Sequence, residues 1–133
     1  MAFDRSELSL TLPAQPWAVG RARDAVEGTL VRARPEVRED VRLMVSELVT
    51  NSVRHGDLGP HGEVIVHVSA SPEAVRVEVA DEGPGFAPDM VPGPHGTGGY
   101  GLFLVDRLAA RWGVETRDRV NVWFELDRPY AEG

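Results

Sequence analysis

The sequence predicts an α+β fold, a two-layer α/β sandwich in which one mixed, mostly antiparallel sheet is covered on one face by three helices. One observation is the spacing of apolar residues, which alternate with polar ones in some runs and follow three- and four-residue steps in others. The other is the order of these runs: strand, helix, helix, strand, strand, loop, helix, strand, strand. The length of 133 residues fits one domain, so we expect residues 1–133 to form a single unit.

The first half of the chain predicts one strand and two helices. Ser6 to Leu12 alternates with the period of a half-buried strand, which a proline stops. Residues 17–33 place apolar side chains on one face of a helix. That face carries Trp17, Ala18, Ala22, Ala25, Val26 and Leu30. Pro35 then opens a second helix that runs to His55, with Gly56 as its C-cap. Its apolar stripe consists of Val37, Val41, Met44, Val45 and Leu48.

The second half predicts a hairpin, a long loop, a helix and two closing strands. The hairpin strands are two valine runs: Val64, Val66 and Val68, then Val75, Val77 and Val79. From Asp81 to Gly101 the chain holds 7 of its 14 glycines and 4 of its 10 prolines, which predicts a functional loop. Tyr100 to Trp112 predicts the third helix, ended by the following glycine, Gly113. The closing strands are predicted over 114–116 and 120–126.

The composition excludes several classes of function. The chain has no cysteine, and all 14 basic residues are arginine. Without lysine there is no Walker-type P-loop, and without cysteine there is no disulfide or thiolate zinc site. A formal charge of −7 disfavours direct nucleic-acid binding, and no apolar run is long enough to span a membrane. We therefore expect a cytoplasmic protein whose partners are neither nucleic acid nor membrane. The use of arginine alone is typical of high-GC bacteria.

Three short motifs carry chemistry. Glu47 and Asn51 lie four residues apart on the second helix, where a carboxylate can take a proton and an amide oxygen can bind magnesium. Asp81 follows a strand and precedes a glycine turn, so it can accept a hydrogen bond from a ligand amine. Residues 96–101 are rich in glycine before the helix at Leu102, which favours an anion site. Taken singly, the motifs also fit a solvated helix face, a plain turn and a flexible loop.

In this order, the three motifs resemble the Bergerat ATP-binding fold of the GHKL superfamily. The chain looks closest to the anti-sigma factor serine/threonine kinases of high-GC bacteria, over Ser6 to Leu126. The resemblance implies a single histidine-kinase-like ATPase domain with ATP and Mg2+ as cofactors. It assigns the catalytic base to Glu47, the magnesium ligand to Asn51, and the acceptor for the adenine amino group to Asp81.

The resemblance also implies the other nucleotide contacts. Gly83 and Gly85 would leave room for the base, with Phe86 beside it. Backbone N–H groups at Gly99, Tyr100, Gly101 and Leu102 would bind the phosphates, and the loop 84–98 would close over them. Arg54 would lie near the site on the second helix. The last motif of the family, Gly-x-Thr, corresponds here to 119–121, where Arg119 replaces glycine and Asn121 can still offer a hydrogen bond.

The function implied is a protein kinase that phosphorylates a STAS-type anti-sigma antagonist, sequesters a sigma factor, and forms a homodimer. One alternative is a catalytically weak or inactive ATP-binding module that acts only by docking to its partners. The altered motif at 119–121 favours that module, whereas Glu47 and Asn51 favour the kinase. Another alternative is a purely structural interaction domain. In that case the occurrence of the three motifs in this order would be a coincidence.

Overall fold

The computed structural model describes residues 5–55, 61–81, 102–116 and 119–130. These residues form five strands and three helices in the predicted order. The elements are β1 (Ser6–Pro13), α1 (Ala18–Thr29), α2 (Pro35–His55), β2 (Glu63–Ala70), β3 (Ala74–Asp81), α3 (Leu102–Leu108), β4 (Arg111–Thr116) and β5 (Val120–Asp127). The predicted C-cap at Gly56 and the predicted loop after Asp81 lie outside the described residues.

The sheet has the order β1-β2-β3-β5-β4. Each of its four pairings is antiparallel, so the described strands form no parallel pair. The predicted α+β architecture, one sheet with three helices, is confirmed. The helices pack in one layer: α1 against β1 and α2, α2 against β3, and α3 against α2 and β4. None of the described helices is long and apolar enough to cross a membrane.

The core lies between the helices and the covered face of the sheet. The alternating residues of β2 and β3 face it: Val64, Val66, Val68, Ala70, Val75, Val77 and Val79. Each buried valine side chain contributes about 1.5–3 kcal/mol relative to an exposed one, so this valine layer fixes the register of the central strands. Phe124 of β5 is also completely buried in this layer.

The buried residues of helix α2 include the apolar stripe predicted from the sequence. Pro35 is its first residue, where the missing N–H costs nothing, and Glu36 lies in the first turn, where the helix dipole favours a carboxylate. The buried residues recur at helical spacing: Val37, Val41, Met44, Val45, Leu48, Val49 and Ser52. This stripe fixes the rotation of α2 and so decides which polar residues point away from the core.

Helix α1 is shorter than the predicted 17–33. It ends at Thr29, and the Leu30 N–H closes the last turn by donating to the Val26 and Glu27 carbonyls. Trp17 was predicted on the apolar face, but 56% of its surface is exposed, so this prediction was wrong. Trp17 is the N-cap residue and precedes the buried row of α1. Its ring instead contacts the Arg21 guanidinium, 6.0 Å from the ring centroid.

The third helix also ends earlier than predicted. Its last backbone hydrogen bond runs from Ala109 N–H to the Val105 carbonyl, and Ala110 N–H already donates to the Glu125 carbonyl of β5. Trp112 and Gly113, predicted to finish the helix, lie in β4 opposite Phe124 and Trp123. Residues 111–113 therefore pair with β5 as a strand, although their apolar spacing also fits a helix.

The uncovered face of the sheet explains why residue 113 is glycine. The Trp123 indole packs against Gly113 of β4, and an added Cβ on Gly113 would come within 2.8–2.9 Å of three indole atoms. The Arg76 guanidinium lies over the same ring, 4.3 Å from its centroid. Arg76 also forms an ion pair with Glu125, which limits how far the stack can shift.

Gly113→Ala is expected to destabilise the fold by about 1–3 kcal/mol, because the new methyl group must displace the indole. Urea unfolding measures the change. Gly28→Ala is the matched control. Nothing lies within 4 Å of a Cβ at this position in α1, so alanine should stabilise the protein by about 0.5–1 kcal/mol. Equal stability of the Gly113→Ala variant and the parent would contradict the packing described.

Ion pairs on the same face predict a dependence of stability on pH. Hydrogen bonds from Arg111 and then Arg76, opposed by partial burial, hold the pKa of Glu125 below its usual range. A hydrogen bond from Arg111 likewise lowers the pKa of Asp127. A carboxylate whose folded pKa lies below its unfolded pKa stabilises the fold above the unfolded value. This contribution disappears as the pH falls through the folded value.

Arg111→Gln is therefore expected to be less stable than the parent near neutral pH. The difference should shrink as the pH falls below about 4, where the carboxylates are protonated. Because these side chains are largely exposed, the effect is modest. Thermal unfolding between about pH 7 and about pH 3 measures it. Arg38→Gln makes the same charge change on α2 and should give a difference that does not follow the titration of Glu125.

Candidate nucleotide site

The second half of α2 presents polar side chains along one side. Glu47, Asn51 and Arg54 follow each other at four- and three-residue steps, so they lie within a narrow sector of the helix. Glu47 and Arg54 are exposed, and Asn51 is half-buried, because the apolar stripe occupies the adjoining sector. The helix therefore carries a carboxylate, an amide and a guanidinium in one row, as the spacing predicts.

The side-chain amide of Asn51 has an unused polar atom. Its Nδ2 is buried and has no hydrogen-bond partner among the residues that the structure describes. A buried polar atom left unpaired costs about 1–3 kcal/mol, which a bound ligand can recover. The nitrogen and oxygen of an amide exchange places by a half-turn of the group. The same position can therefore offer an oxygen to a cation.

Asp81 is the last residue of β3, and its side chain lies on the covered face of the sheet. It is 7% exposed, among otherwise apolar core residues. The helix that carries Asn51 packs against β3, so both side chains belong to the layer between α2 and the sheet. Burying a carboxylate in this layer is costly unless it is hydrogen-bonded or paired, and Asp81 does have an interaction partner.

Leu102 begins α3 and is completely buried. Its side chain anchors the start of the helix, which in turn packs against α2. The predicted phosphate contact at Leu102 would use its backbone N–H, and it stays a prediction.

Asn121 does not join the other residues. It pairs with Ala80 of β3, and its Nδ2 donates to Glu78 Oε1 at 2.8 Å. Ala80 and Glu78 flank the uncovered face, whereas Asp81 points to the covered one. The residue of β5 that lies opposite Asp81 is Val120, which is also buried. The strand alternation thus removes Asn121 from the site.

The remaining predicted contacts are Gly83, Gly85, Phe86, Gly99, Tyr100 and Gly101, and they lie outside the described residues. The valines paired with Asp81 were not among the site residues predicted from the sequence. The alternation Val120, Val122 and Phe124 was the available signal, because it assigns the intervening residues to the opposite face.

The donor set fits magnesium bound together with a nucleotide. Residues 5–55, 61–81, 102–116 and 119–130 contain no group of three or more His, Asp or Glu that could cage a metal ion. Mg2+ needs no such cage, because it keeps several waters and takes one or two protein oxygens plus phosphate oxygens. The unpaired amide of Asn51 can provide one oxygen of this kind.

Comparison with known proteins places this arrangement in a family. Residues 12–124 match the family described as the histidine kinase-like ATPase domain. The serine-protein kinase RsbW of Listeria monocytogenes is 33% identical over 123 residues, which covers 81% of this chain and 78% of that protein. The serine-protein kinase RsbW of Bacillus subtilis is 31% identical over 131 residues, covering 86% and 81%.

Solved structures agree on the fold. The RsbU and RsbW domains of Rv1364c from Mycobacterium tuberculosis superpose with a TM-score of 0.72 at 20% identity. The match covers 91% of this chain and 32% of that one, so the chain spans about a third of that structure. The histidine kinase domain of Erythrobacter litoralis EL346 gives a TM-score of 0.56 at 24% identity, covering 88% and 62%. Because the family match spans residues 12–124, the chain belongs to the histidine kinase-like ATPase domain family.

Proposed function

We propose that the chain is an ATP-dependent serine/threonine protein kinase of the anti-sigma factor type, which phosphorylates an anti-sigma antagonist protein and sequesters a sigma factor. One observation carries the proposal. A carboxylate, Glu47, and an unpaired amide, Asn51, lie in one row on the helix that packs over the strand of Asp81. The similarity to two serine-protein kinases RsbW above 30% identity supports it.

In this proposal the nucleotide lies between α2 and the end of β3. Asp81 accepts a hydrogen bond from the adenine amino group. Gly83, Gly85 and Phe86 border the base, and Gly99, Tyr100, Gly101 and Leu102 bind the phosphates through backbone N–H groups. Arg54, which forms no ion pair within the described residues, is placed to offset phosphate charge. Because the chain has no lysine, the phosphate charge would be neutralised by arginine, backbone N–H groups and magnesium.

Magnesium would be held by Asn51. When bound, it neutralises phosphate charge and polarises the transferred group. The protein's own contribution is made by Glu47, which is exposed and so accessible to a protein hydroxyl. The carboxylate orients that hydroxyl and takes its proton. As the hydroxyl oxygen forms its bond to phosphorus, the bond to the ADP oxygen breaks and ADP leaves.

A specific observation favours a second candidate, a nucleotide-binding module with little or no kinase activity. In the last motif Arg119 replaces the glycine of the family, and the Asn121 side chain points to the uncovered face of the sheet. Incubation with labelled ATP and a purified STAS-type protein separates the two. The kinase transfers label to a serine or threonine of that protein, and the module binds it without transfer.

The proposal also includes the partners and the cellular setting. A STAS-type antagonist and a sigma factor fit the acidic surface expected of a protein that binds other proteins, with a charge of −7. A homodimer is supported by β1, which has a described neighbour on one side only. The proposal further includes a cytoplasmic location, a source among high-GC bacteria, which the use of arginine without lysine supports, and a single ATPase domain over residues 1–133.

A further inference from the structure

The exposed side of α2 carries an apolar side chain next to the proposed base. Leu43 is 42% exposed and is not part of the core. It lies four residues before Glu47, so the two side chains are neighbours one helical turn apart, about 6 Å along the axis. Asp40 comes three residues before Leu43 and continues the same row. The row thus contains Asp40, Leu43, Glu47 and Asn51, in this order along α2.

The two ends of this row face different substrates in the proposed function, on which the inference rests. Asn51, one turn after Glu47, is assigned to the magnesium next to the phosphates. The attacking and leaving oxygens of a phosphoryl transfer lie roughly in line, on opposite sides of the phosphorus. The acceptor hydroxyl therefore approaches Glu47 from the side away from Asn51. Leu43 lies on that side.

The charges before Leu43 favour a basic partner surface. Glu36, one turn before Asp40, is paired with Arg34 at 2.7 Å. Asp40 has no ion pair within the described residues. Burial and then the like charges of Glu39 and Glu36 raise the pKa of Asp40. A cation from a partner would relieve this repulsion, and an apolar side chain of the same partner would cover Leu43.

We propose that Leu43 and Asp40 are specificity-determining residues for the protein acceptor, whose surface around the reacting serine or threonine they bind. Leu43 contacts an apolar side chain about 6 Å from the acceptor hydroxyl, and Asp40 contacts an arginine or lysine about 10 Å from it. These contacts are the same before and during transfer. They therefore contribute to binding of the acceptor and not to the chemical step.

Steady-state transfer of label from ATP to a purified STAS-type protein tests the inference, with the acceptor varied at saturating ATP and magnesium. Leu43→Ala is expected to raise the KM for the acceptor about tenfold and to leave kcat within about twofold. Leu43 lies outside the core, so the unfolding temperature and the affinity for ADP should be those of the parent. A rise in KM accompanied by an equal loss of ADP affinity would overturn the inference.

Val31→Ala is the matched control. Val31 is 67% exposed, more than Leu43, and it follows the end of α1 instead of lying on α2. The substitution also removes exposed methyl groups, but away from Glu47, so the KM of the parent should be retained. Equal rises in KM for Val31→Ala and Leu43→Ala would overturn the inference.

Asp40→Asn tests the charged contact separately. It should raise the KM for the acceptor about two- to fivefold at low ionic strength, the usual range for an exposed ion pair. The difference should shrink at about 0.5 M salt, where such pairs are screened. Asp24→Asn, the same change at an exposed position of α1, should keep the parent KM at both salt concentrations. A salt-independent effect of Asp40→Asn would overturn the role of its charge.

The remaining outcomes separate this inference from the proposed function. A parent KM in both Leu43→Ala and Asp40→Asn, with normal transfer by the parent, would overturn the inference and leave the proposed function standing. A parent KM together with loss of a dimer in sedimentation of Leu43→Ala would assign Leu43 to a second copy of the chain, and would also overturn it. No transfer by the parent would overturn both.

Discussion

Glu47→Gln is expected to lower the rate of phosphoryl transfer to protein by about 10²- to 10⁴-fold, the range associated with loss of a general base. The amide keeps the size of the side chain but cannot take a proton from the hydroxyl. Glu47 is exposed on α2 and outside the buried stripe, so the variant should fold as the parent does. Its ADP affinity should be retained, because the base is assigned to the hydroxyl and not to the nucleotide.

The measurement is transfer of label from ATP to a STAS-type protein under single-turnover conditions. Glu39→Gln is the control, since Glu39 is an exposed carboxylate on the same helix and contacts Arg42 at 3.7 Å. It should transfer label at the parent rate. If Glu47→Gln also transfers at the parent rate, Glu47 is not the base. If the parent transfers no label, the chain acts as a binding module.

Asp81→Asn is expected to weaken ADP binding by about 1–3 kcal/mol, which is about 10- to 100-fold in affinity. The carboxamide has nearly the same shape, so the change acts through hydrogen bonding. Its NH2 group turned towards the base would meet the adenine amino group donor to donor. The same NH2 group can donate to a 6-oxo purine, so the affinity for IDP should rise relative to ADP.

Calorimetry with both nucleotides measures this reversal. Thermal unfolding accompanies it, because Asp81 is 7% exposed and a change there can alter stability. Loss of affinity for ADP and IDP in equal proportion would point to a disturbed fold instead of a base contact. An ADP affinity identical to that of the parent would remove Asp81 from the nucleotide site.

The parts of the fold that the sequence predicted well are those where one face is buried. The valines of β2 and β3 alternate without interruption, and the stripe of α2 keeps helical spacing from Val37 to Leu48. Burial dominates the energetics of these elements, so their pattern and their structure agree. The positions of Glu47 and Asn51 on one side of α2 followed from the same stripe.

The errors arose where burial does not decide the structure. Trp17 has the size and polarity of a core residue, yet it precedes α1 and is exposed. Trp112 fits helical spacing after α3, but pairing with Phe124 draws it into β4. That pairing joins the two strands of the closing hairpin, and the helical spacing up to Trp112 does not show where the first of these strands begins.

The predicted contact at Asn121 depends on a different feature. It came from the family motif at 119–121, and a motif does not show to which of the two faces of a strand each residue points. Val120 and Val122 were already apolar neighbours of Asn121 in the sequence, so the alternation alone assigned Asn121 to the uncovered face. In a strand, only every second residue of a family motif can therefore face the same site.

The affinity for ADP with and without magnesium tests most directly the claim that α2 and the end of β3 form one nucleotide site. If Asn51 holds the metal next to the phosphates, the parent binds ADP more tightly with magnesium than without it, and Asn51→Ala loses this difference. Absence of ADP binding, or a magnesium effect that is the same in the parent and in Asn51→Ala, would contradict the account.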